Sequence, residues 1–312
     1  MRARFSQNTI AERISGFFTL NPGHARTTGR FGLIIELIID IYITMQPTLN
    51  RFQRTRLRVR EKRSQWKESL YKAGDLTAFM LRFFREAVKP PYEFREIMYQ
   101  CYLVGYKSTF LIGLTAFIMG AVLTIQTRPS MAAFGAISLI PGMVSVSVVR
   151  EIGPVITAII CAGKIGSRMG AELGSMRVTE QIDAMEVSAI NPYHYLVVTR
   201  TIATTLMVPL LAILSDAIAF VGAYLAMNIH DSMTPQHFFQ AAMAHLEFID
   251  IFPAIIKTFF FGYVIGIIGC YKGFRARRGT ESVGIAANSA VVASSLAVFV
   301  IDMLAAQITD LL

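Results

Sequence analysis

The sequence predicts an all-α polytopic membrane protein with about five transmembrane helices, and three observations lead to this fold class. Of the 312 residues, 54% are hydrophobic and only 16% are charged, whereas a soluble domain carries about 25% charged residues. Five long segments are nearly free of charge and approach the roughly 20 residues that a helix needs to cross a bilayer. Basic residues concentrate in alternate loops between these segments, as the positive-inside rule requires.

The basic charge belongs to the front of the chain. Residues 1–107 hold 19 Lys and Arg against 9 Asp and Glu, a net charge of +10, while the remainder is at −1. The densest cluster, at 51–63, precedes the membrane-type region, so it favours an anionic lipid surface or a solvated face over a nucleic-acid site. No nucleic-acid partner is therefore predicted.

Residues 1–73 are predicted to form a basic cytoplasmic N-terminal extension. A possible amphipathic helix at 31–45 places Glu36 and Asp40 on one face, opposite an Ile and Leu stripe. Its length leaves open whether it crosses the membrane or lies on it. The opening residues lack the apolar segment of a secretory signal, but they are rich in arginine and poor in acids, so an organelle transit peptide stays an alternative.

The membrane domain is predicted at 74–312. It begins with a surface helix at 76–88 that Pro90 and Pro91 end. The predicted spans are about 108–127, 142–163, 196–229, 251–271 and 285–309. The basic residues of the two inner loops are Lys164, Arg168, Arg177, Arg200, Lys272, Arg275, Arg277 and Arg278. Since the outer loops hold Arg128 alone, the N-terminus is predicted in the cytoplasm and the C-terminus outside.

Five charged residues interrupt the apolar spans. Asp216, Lys257 and Asp302 are single charges in the last three spans, and Arg150 and Glu151 are neighbours in the second. A charge at the membrane centre costs roughly 2.5–3.5 kcal/mol on insertion scales, so such residues are functional candidates. For the single charges Asp216, Lys257 and Asp302, the alternative is that they pair with one another and only fix helix packing. Arg150 and Glu151 are expected either at the outer end of the second span or facing a polar interior.

Three glycines predict close helix packing. Gly166, Gly170 and Gly174 recur every four residues, and small residues at this spacing let helix backbones approach each other in lipid. The alternative is that glycine is simply common in membrane helices.

The segment between the second and third spans is predicted to contain an amphipathic helix at 171–187. It has a sparse apolar ridge inside a charged rim, which suits docking onto a soluble partner. Acids outnumber bases there by four to one, which disfavours the alternative of an anionic membrane surface. The predicted partner-binding residues are Glu172, Met176, Arg177, Glu180, Asp183, Met185 and Glu186.

Enzymatic chemistry is not predicted for this chain. His237 and His245 lack a tight ligand motif such as HExxH, so no metal site is predicted. Gly163 and Lys164 are followed by Ile165, and no phosphate-binding P-loop occurs. We therefore expect no catalytic residue and no cofactor here, and ATP would be brought by another subunit.

Two stretches resemble a known family. Arg150 to Val198 is REIGPVITAIICAGKIGSRMGAELGSMRVTEQIDAMEVSAINPYHYLVV, and Gly273 to Gly284 is GFRARRGTESVG. Both resemble the signature regions of MlaE/YrbE-type ABC permeases, and EFREIMYQCYLVGYKS before the first span also fits. Arg278 and Ser282 stand where the family usually has glycine. The resemblance runs from about residue 74 to the end.

The resemblance implies a function and a set of partners. It implies a homodimeric permease that moves phospholipids or related lipids between inner and outer membranes. It also implies a cytoplasmic ABC ATPase that binds ATP and Mg, and a periplasmic MCE-domain protein. The family's ATPase-contacting coupling helix corresponds to Glu172–Glu186, and Arg150 and Glu151 are predicted on the lipid headgroup side. The implied location is the bacterial inner membrane, with a plastid inner envelope as the alternative.

Two other function classes stay open on the residues alone. One is a membrane scaffold that recruits a soluble partner and transports nothing. The other is an ion-coupled carrier that uses the three single intramembrane charges, although the sequence lacks the internal repeats from which many carriers are built.

Overall fold

A computed structural model describes residues 71, 73–90, 92–229, 232–277 and 279–311. The helix predicted at 31–45 and the basic cluster at 51–63 lie outside the described residues. Residues 74–312 form one compact unit, and the described part of this unit contains helices but no β-strand. The predicted all-α class is confirmed.

The helices follow one another with short connections. In chain order they are α1 (73–87), α2 (Phe94–Val104), α3 (Tyr106–Ala133), α4 (Ile140–Ser147), α5 (Gly153–Cys161), α6 (Ser167–Val178), α7 (Gln181–Val187), α8 (Thr199–Met227), α9 (Pro235–Ala244), α10 (Phe248–Phe274) and α11 (Glu281–Leu311). Short 3₁₀ or π segments at Ile137–Leu139, Val148–Ile152, Ala162–Gly166 and Tyr193–Val198 join several of them.

Five helical segments of the described chain are long and apolar enough to cross a membrane, which confirms the predicted number. They are Phe94–Ala133, Ile137–Val178, Tyr193–Met227, Asp250–Phe274 and Glu281–Thr309. The first two differ most from their predictions: the first already begins at Phe94, and the second continues past 163 to Val178. Lys164 and Arg168 therefore lie on this helical segment and not in a loop.

The second span changes its helical geometry at Arg150 and Glu151. These residues lie in the π turn Val148–Ile152, between α4 and α5. Pro154 has no N–H group, so it cannot donate to the carbonyl four residues earlier, and one α-helical hydrogen bond is missing there. Turns of this kind are rare and often occur at functional sites.

The third span is central to the bundle, since it packs against the first and fourth spans. Gly120 and Gly222 mark its closest approach to the first span: a Cβ at either position would overlap the backbone of the other helix. Hydrophobic side chains pack in two clusters. One includes Ile165 and Phe261, and the other includes Val144 and Phe220.

The surface helix α1 is fixed to the bundle through its aromatic side. Phe79 packs edge-on against Tyr193 and Tyr271, with ring centroids 4.8 and 5.3 Å away. The Tyr193 hydroxyl donates to the Phe79 carbonyl. Leu81 is exposed, and so is much of Phe84, whose ring also contacts Tyr263 at 5.6 Å. A helix with one fixed and one exposed apolar side suits the membrane surface, where the sequence analysis places 76–88.

The predicted glycine triplet lies in the C-terminal half of the second helical segment. Gly170 faces the fifth span, where an added Cβ would come within 3.0 Å of the Ala287 Cα atom and 3.1 Å of the Ala286 carbonyl oxygen. Gly166 is also close, with the Ser294 hydroxyl 3.3 Å from such a Cβ. At Gly174 the nearest atoms would be 3.6 Å away, which is an ordinary contact.

We expect Gly170→Ala to destabilise the bundle by about 1–3 kcal/mol, because the new methyl group must displace backbone. Gly174→Ala should leave stability unchanged or raise it by up to about 1 kcal/mol, since alanine favours a helix over glycine. Cys161 and Cys270 are buried, so their reaction with a maleimide dye during heating reports unfolding. Equal shifts in the two variants would contradict the difference in packing between Gly170 and Gly174.

Candidate functional site

Lys257 is the centre of an ionic network inside the membrane domain. Its ammonium group donates to Glu151 Oε2 at 2.9 Å and to Asp302 Oδ1 at 3.0 Å. The lysine side chain is only 5% exposed, whereas that of Glu151 is 41% exposed. The network therefore joins the second, fourth and fifth spans, and Glu151 is its exposed end. Of the single charges for which mutual pairing was the alternative, Lys257 and Asp302 pair with each other, and Glu151 joins them.

Arg150 lies beside this network with a different partner. Its guanidinium is 3.9 Å from Asp250 Oδ1, and its side chain is 38% exposed. Asp250 also belongs to the capping box that begins α10. Sequence analysis did not select Asp250, because it stands at the edge of an apolar run where a helix cap is expected. The proximity of positions 150 and 250 is a product of the fold.

The network lies well inside the fourth span, away from its ends. Lys257 follows the first residue of the fourth span, Asp250, by seven positions, which corresponds to about 10 Å along a helix. On the orientation predicted from the loop charges, this end of the span faces outward. Partly exposed charges at such a depth require a polar environment.

Asp216 is not part of the network. It lines a separate cavity of about 320 Å³ between the second, third and fourth spans, and no other ionisable side chain belongs to the described lining. Its Oδ1 atom has no hydrogen-bond partner among the described residues. A Cβ at Gly153 would overlap this oxygen, so glycine at 153 makes room for the carboxylate.

The predicted coupling region is two helices and not the single helix expected over 171–187. α6 continues the second span to Val178, and α7 begins at Gln181. Glu180 separates them with φ of 59°, in the left-handed region. A right-handed helix needs φ near about −63°, so the helix cannot continue through this residue. Propensity favours helix for a glutamate, so the break was not visible in the sequence.

Several residues predicted to contact a partner face the chain's own core. Ile182 is fully buried, and Met176 and Met185 pack against the hydrophobic cluster that includes it. Glu172 accepts a hydrogen bond from Arg200 at 2.6 Å and lies 3.8 Å from Arg168. The apolar ridge thus holds α6 and α7 in place.

The exposed side of α7 carries a different set of residues. Asp183 pairs with Arg177 at the junction of the two helices. Glu180, Ala184 and Val187 are exposed, and their spacing of four and three residues places them on one helix face. Glu186 is exposed beside them. An acidic face with Val187 at its end thus stays exposed on α7.

Two polar contacts tie this region to its surroundings. Arg200, assigned to a loop from sequence, is 3% exposed within α8 and links the third span to Glu172. Glu86 on α1 accepts a hydrogen bond from Asn191 Nδ2 at 3.1 Å, after α7. A hydrogen bond from Lys89 lowers the pKa of Glu86, against the opposing effect of its burial. The carboxylate stays charged and keeps the surface helix attached beside α7.

Comparison with known proteins identifies the family that shares this architecture. The model of the family described as permease MlaE matches residues 97–308. A probable ABC transporter permease of Rickettsia typhi is 36% identical over 225 residues, which cover 72% of this chain and 86% of that protein. A probable ABC transporter permease of Synechocystis is 37% identical, over 66% of this chain and 78% of that protein.

A plant protein also matches. The chloroplastic protein TRIGALACTOSYLDIACYLGLYCEROL 1 of Arabidopsis thaliana is 32% identical over 215 residues, which cover 69% of this chain and 61% of that protein. All three matches extend over about two thirds of the chain or more, so they include most of the membrane domain.

Proposed function

The chain belongs to the MlaE permease family, and from this premise we propose that it moves phospholipids or related lipids as the permease subunit of an ABC transporter. The transport would connect the inner membrane with the periplasm or outer membrane. The multi-pass architecture and the relatives named as ABC transporter permeases support the permease role. The name of the Arabidopsis relative, which contains that of a glycolipid, favours a lipid as the cargo.

One observation carries the lipid proposal. Arg150 and Glu151 remain about two-fifths exposed within the outer half of the membrane domain, where a charge facing hydrocarbon alone is costly. An occupant with a charged headgroup and apolar tails satisfies both the charges and the apolar surface around them. We infer that the headgroup contacts Arg150, while Lys257 holds Glu151 and Asp302 in position.

A second copy of the chain would complete the path. The fifth span exposes Val292, Leu296, Phe299 and Met303, which share one helix face. Asp302 stands next to this stripe and is 20% exposed, which is unfavourable if the face meets lipid alone. These features favour a homodimer with the stripe and the ionic network near the shared face.

Energy would enter from the cytoplasm through α7. A separate ABC ATPase, with its ATP and Mg, would dock on the exposed face of α7, and its closure would push α6. Because α6 belongs to the same helical segment as the π turn with Arg150 and Glu151, a displacement at one end can reach the other. A periplasmic MCE-domain protein would receive or deliver the lipid at the outer surface. The proposed location is the bacterial inner membrane, and the chloroplastic relative supports the plastid alternative.

Lipid transport by the complex tests this proposal. We expect mass spectrometry to detect phospholipid in the purified complex. We also expect Arg150→Gln to lower ATP-dependent transfer of labelled phospholipid about tenfold, because the variant loses one charge-assisted hydrogen bond. Arg95→Gln is the matched control, because Arg95 is exposed on α2, far along the chain from the network. Both variants should retain wild-type thermal stability.

Four results would decide against the proposal. A complex without bound lipid, or equal transfer by both variants, would exclude lipid transport through Arg150. Transfer that needs an ion gradient and not ATP supports the carrier alternative, for which Asp216 is the candidate. Binding of the ATPase without any transfer supports the scaffold.

A further inference from the structure

Three arginines from three elements converge on one cavity at the cytoplasmic end of the bundle. The cavity has a volume of about 380 Å³ and is lined by Phe79, Arg82, Arg177, Phe274, Arg275 and Ala276. Arg82 comes from α1, Arg177 from the last turn of α6, and Arg275 directly follows α10. Residues 275 and 177 are almost a hundred positions apart in the chain, so the cluster exists only in the folded protein.

Among the described residues, the three guanidinium groups have more donors than acceptors. Arg275 donates to Asp75 Oδ1 at 2.5 Å, and Arg177 pairs with Asp183. Arg82 lies over the ring of Tyr193, 4.5 Å from its centroid. The two aspartates thus face three guanidinium groups, and each guanidinium carries five N–H donors. A net positive charge and several donors remain at the cavity.

Helix capping explains only part of this arrangement. A cation near a helix C-terminus is stabilised by the helix dipole, which accounts separately for Arg177 and Arg275. It does not account for Arg82, which stands in the middle of α1. Capping also gives no reason for all three side chains to border the same polar cavity.

We propose that this cavity binds a phosphate-bearing anion, either the headgroup of an anionic phospholipid or a soluble phosphate. Planar guanidinium groups match the oxygens of a phosphate with paired hydrogen bonds. The volume lies in the range of small-ligand sites. Phe79 and Phe274 supply an apolar wall, and α1 is the predicted membrane-surface helix. At the cytoplasmic leaflet the membrane surface is negative and attracts such basic sites.

This site is distinct from the proposed transport path. Phe274 follows Lys257 by 17 positions on α10, which corresponds to about 25 Å along the helix. A bound phosphate would connect α1 with the end of α6, next to the proposed docking face on α7. The inference does not depend on lipid transport.

Two titrations of the purified full chain in a non-ionic detergent test the proposal. Native mass spectrometry measures binding of phosphatidylglycerol against phosphatidylcholine, and calorimetry measures binding of inorganic phosphate. We expect Arg82→Gln and Arg275→Gln each to lower the affinity for the anion about tenfold, because each loses a charge-assisted hydrogen bond. Arg85→Gln is the matched control, because Arg85 lies on the same helix with a side chain 72% exposed, outside the cavity lining.

A variant with the opposite expected effect on affinity keeps the test decisive if Arg275→Gln unfolds. Asp75→Asn removes the negative charge that pairs with Arg275 and should raise the affinity for the anion severalfold. A preference for phosphatidylglycerol that the cavity variants abolish identifies a lipid headgroup. Binding of inorganic phosphate with the same sensitivity identifies a soluble anion. No binding of either probe, or equal affinities in Arg82→Gln, Arg85→Gln and wild type, overturns the proposal.

Discussion

Replacing Lys257 with methionine is expected to destabilise the membrane domain by about 3–5 kcal/mol. The lysine alone stands between Glu151 and Asp302 in the network, at 2.9 and 3.0 Å. Its removal leaves two carboxylates close to each other and without their cation inside the membrane domain. The reaction of the buried thiols of Cys161 and Cys270 with a maleimide dye during heating would measure the loss, since both are buried in the fold.

The matched control removes the whole network. The triple variant Lys257→Met, Glu151→Gln, Asp302→Asn carries no charge at these positions, and neutral replacement of a buried ionic group is often without cost. We expect its unfolding temperature to return to that of wild type. If the single and triple variants are equally unstable, the damage comes from packing around Lys257. If the single variant is as stable as wild type, the carboxylates do not depend on the lysine.

The triple variant also separates structure from transport. If the charges serve only to pair the helices, the triple variant should transport at the wild-type rate once it is stable. If Glu151 contributes to the headgroup site beside Arg150, the variant should be stable and transport poorly. The second result is the one that the proposed function requires.

Reversing two charges on α7 is expected to weaken binding of the ATPase on the order of a hundredfold, because juxtaposed like charges at an interface cost several kcal/mol. The variant is Glu180→Lys with Glu186→Lys, chosen because both side chains are exposed. Asp183 is left unchanged, since its pair with Arg177 supports the junction of α6 and α7. Co-purification of the ATPase and its lipid-stimulated hydrolysis are the measurements.

Glu281→Lys is the control on the same side of the membrane. Glu281 is exposed at the start of α11, so its reversal changes the charge of the cytoplasmic surface without altering α7. We expect it to retain the ATPase. Normal binding and hydrolysis in the α7 variant would show that the partner docks elsewhere. Equal losses in both variants would indicate a general charge effect on the cytoplasmic surface.

The coupling region has some features that the sequence predicts and others that only the fold explains. Its position between the second and third spans and its acidic character were visible in the residues. The apolar ridge was assigned to a partner, yet Met176 and Met185 pack on the chain's own core. A helical periodicity identifies a face that will be buried but not what will bury it. The break at Glu180 was hidden because local propensity favours helix there.

The charged residues of the spans show the same limit of prediction from sequence. Each charge is easily recognised in an apolar run. Its unfavourable energy depends only on the residue itself and its neighbours in sequence. Their partners were not found. Glu151 and Lys257 are 106 positions apart, and Lys257 and Asp302 are 45 apart. Asp216 looked equivalent to Asp302 in sequence but lines a separate cavity.

The sequence by itself determined the membrane class, the number of the spans and the family. These depend on hydropathy, which is read over about 20 neighbouring residues, and on motifs, which are continuous stretches of the chain. Only the tertiary structure decided that Lys257 holds two carboxylates, that Gly170 and not Gly174 meets backbone, and that three arginines share a cavity. Those outcomes depend on which distant helices pack together, because ion pairs and close contacts act over a few ångströms in space.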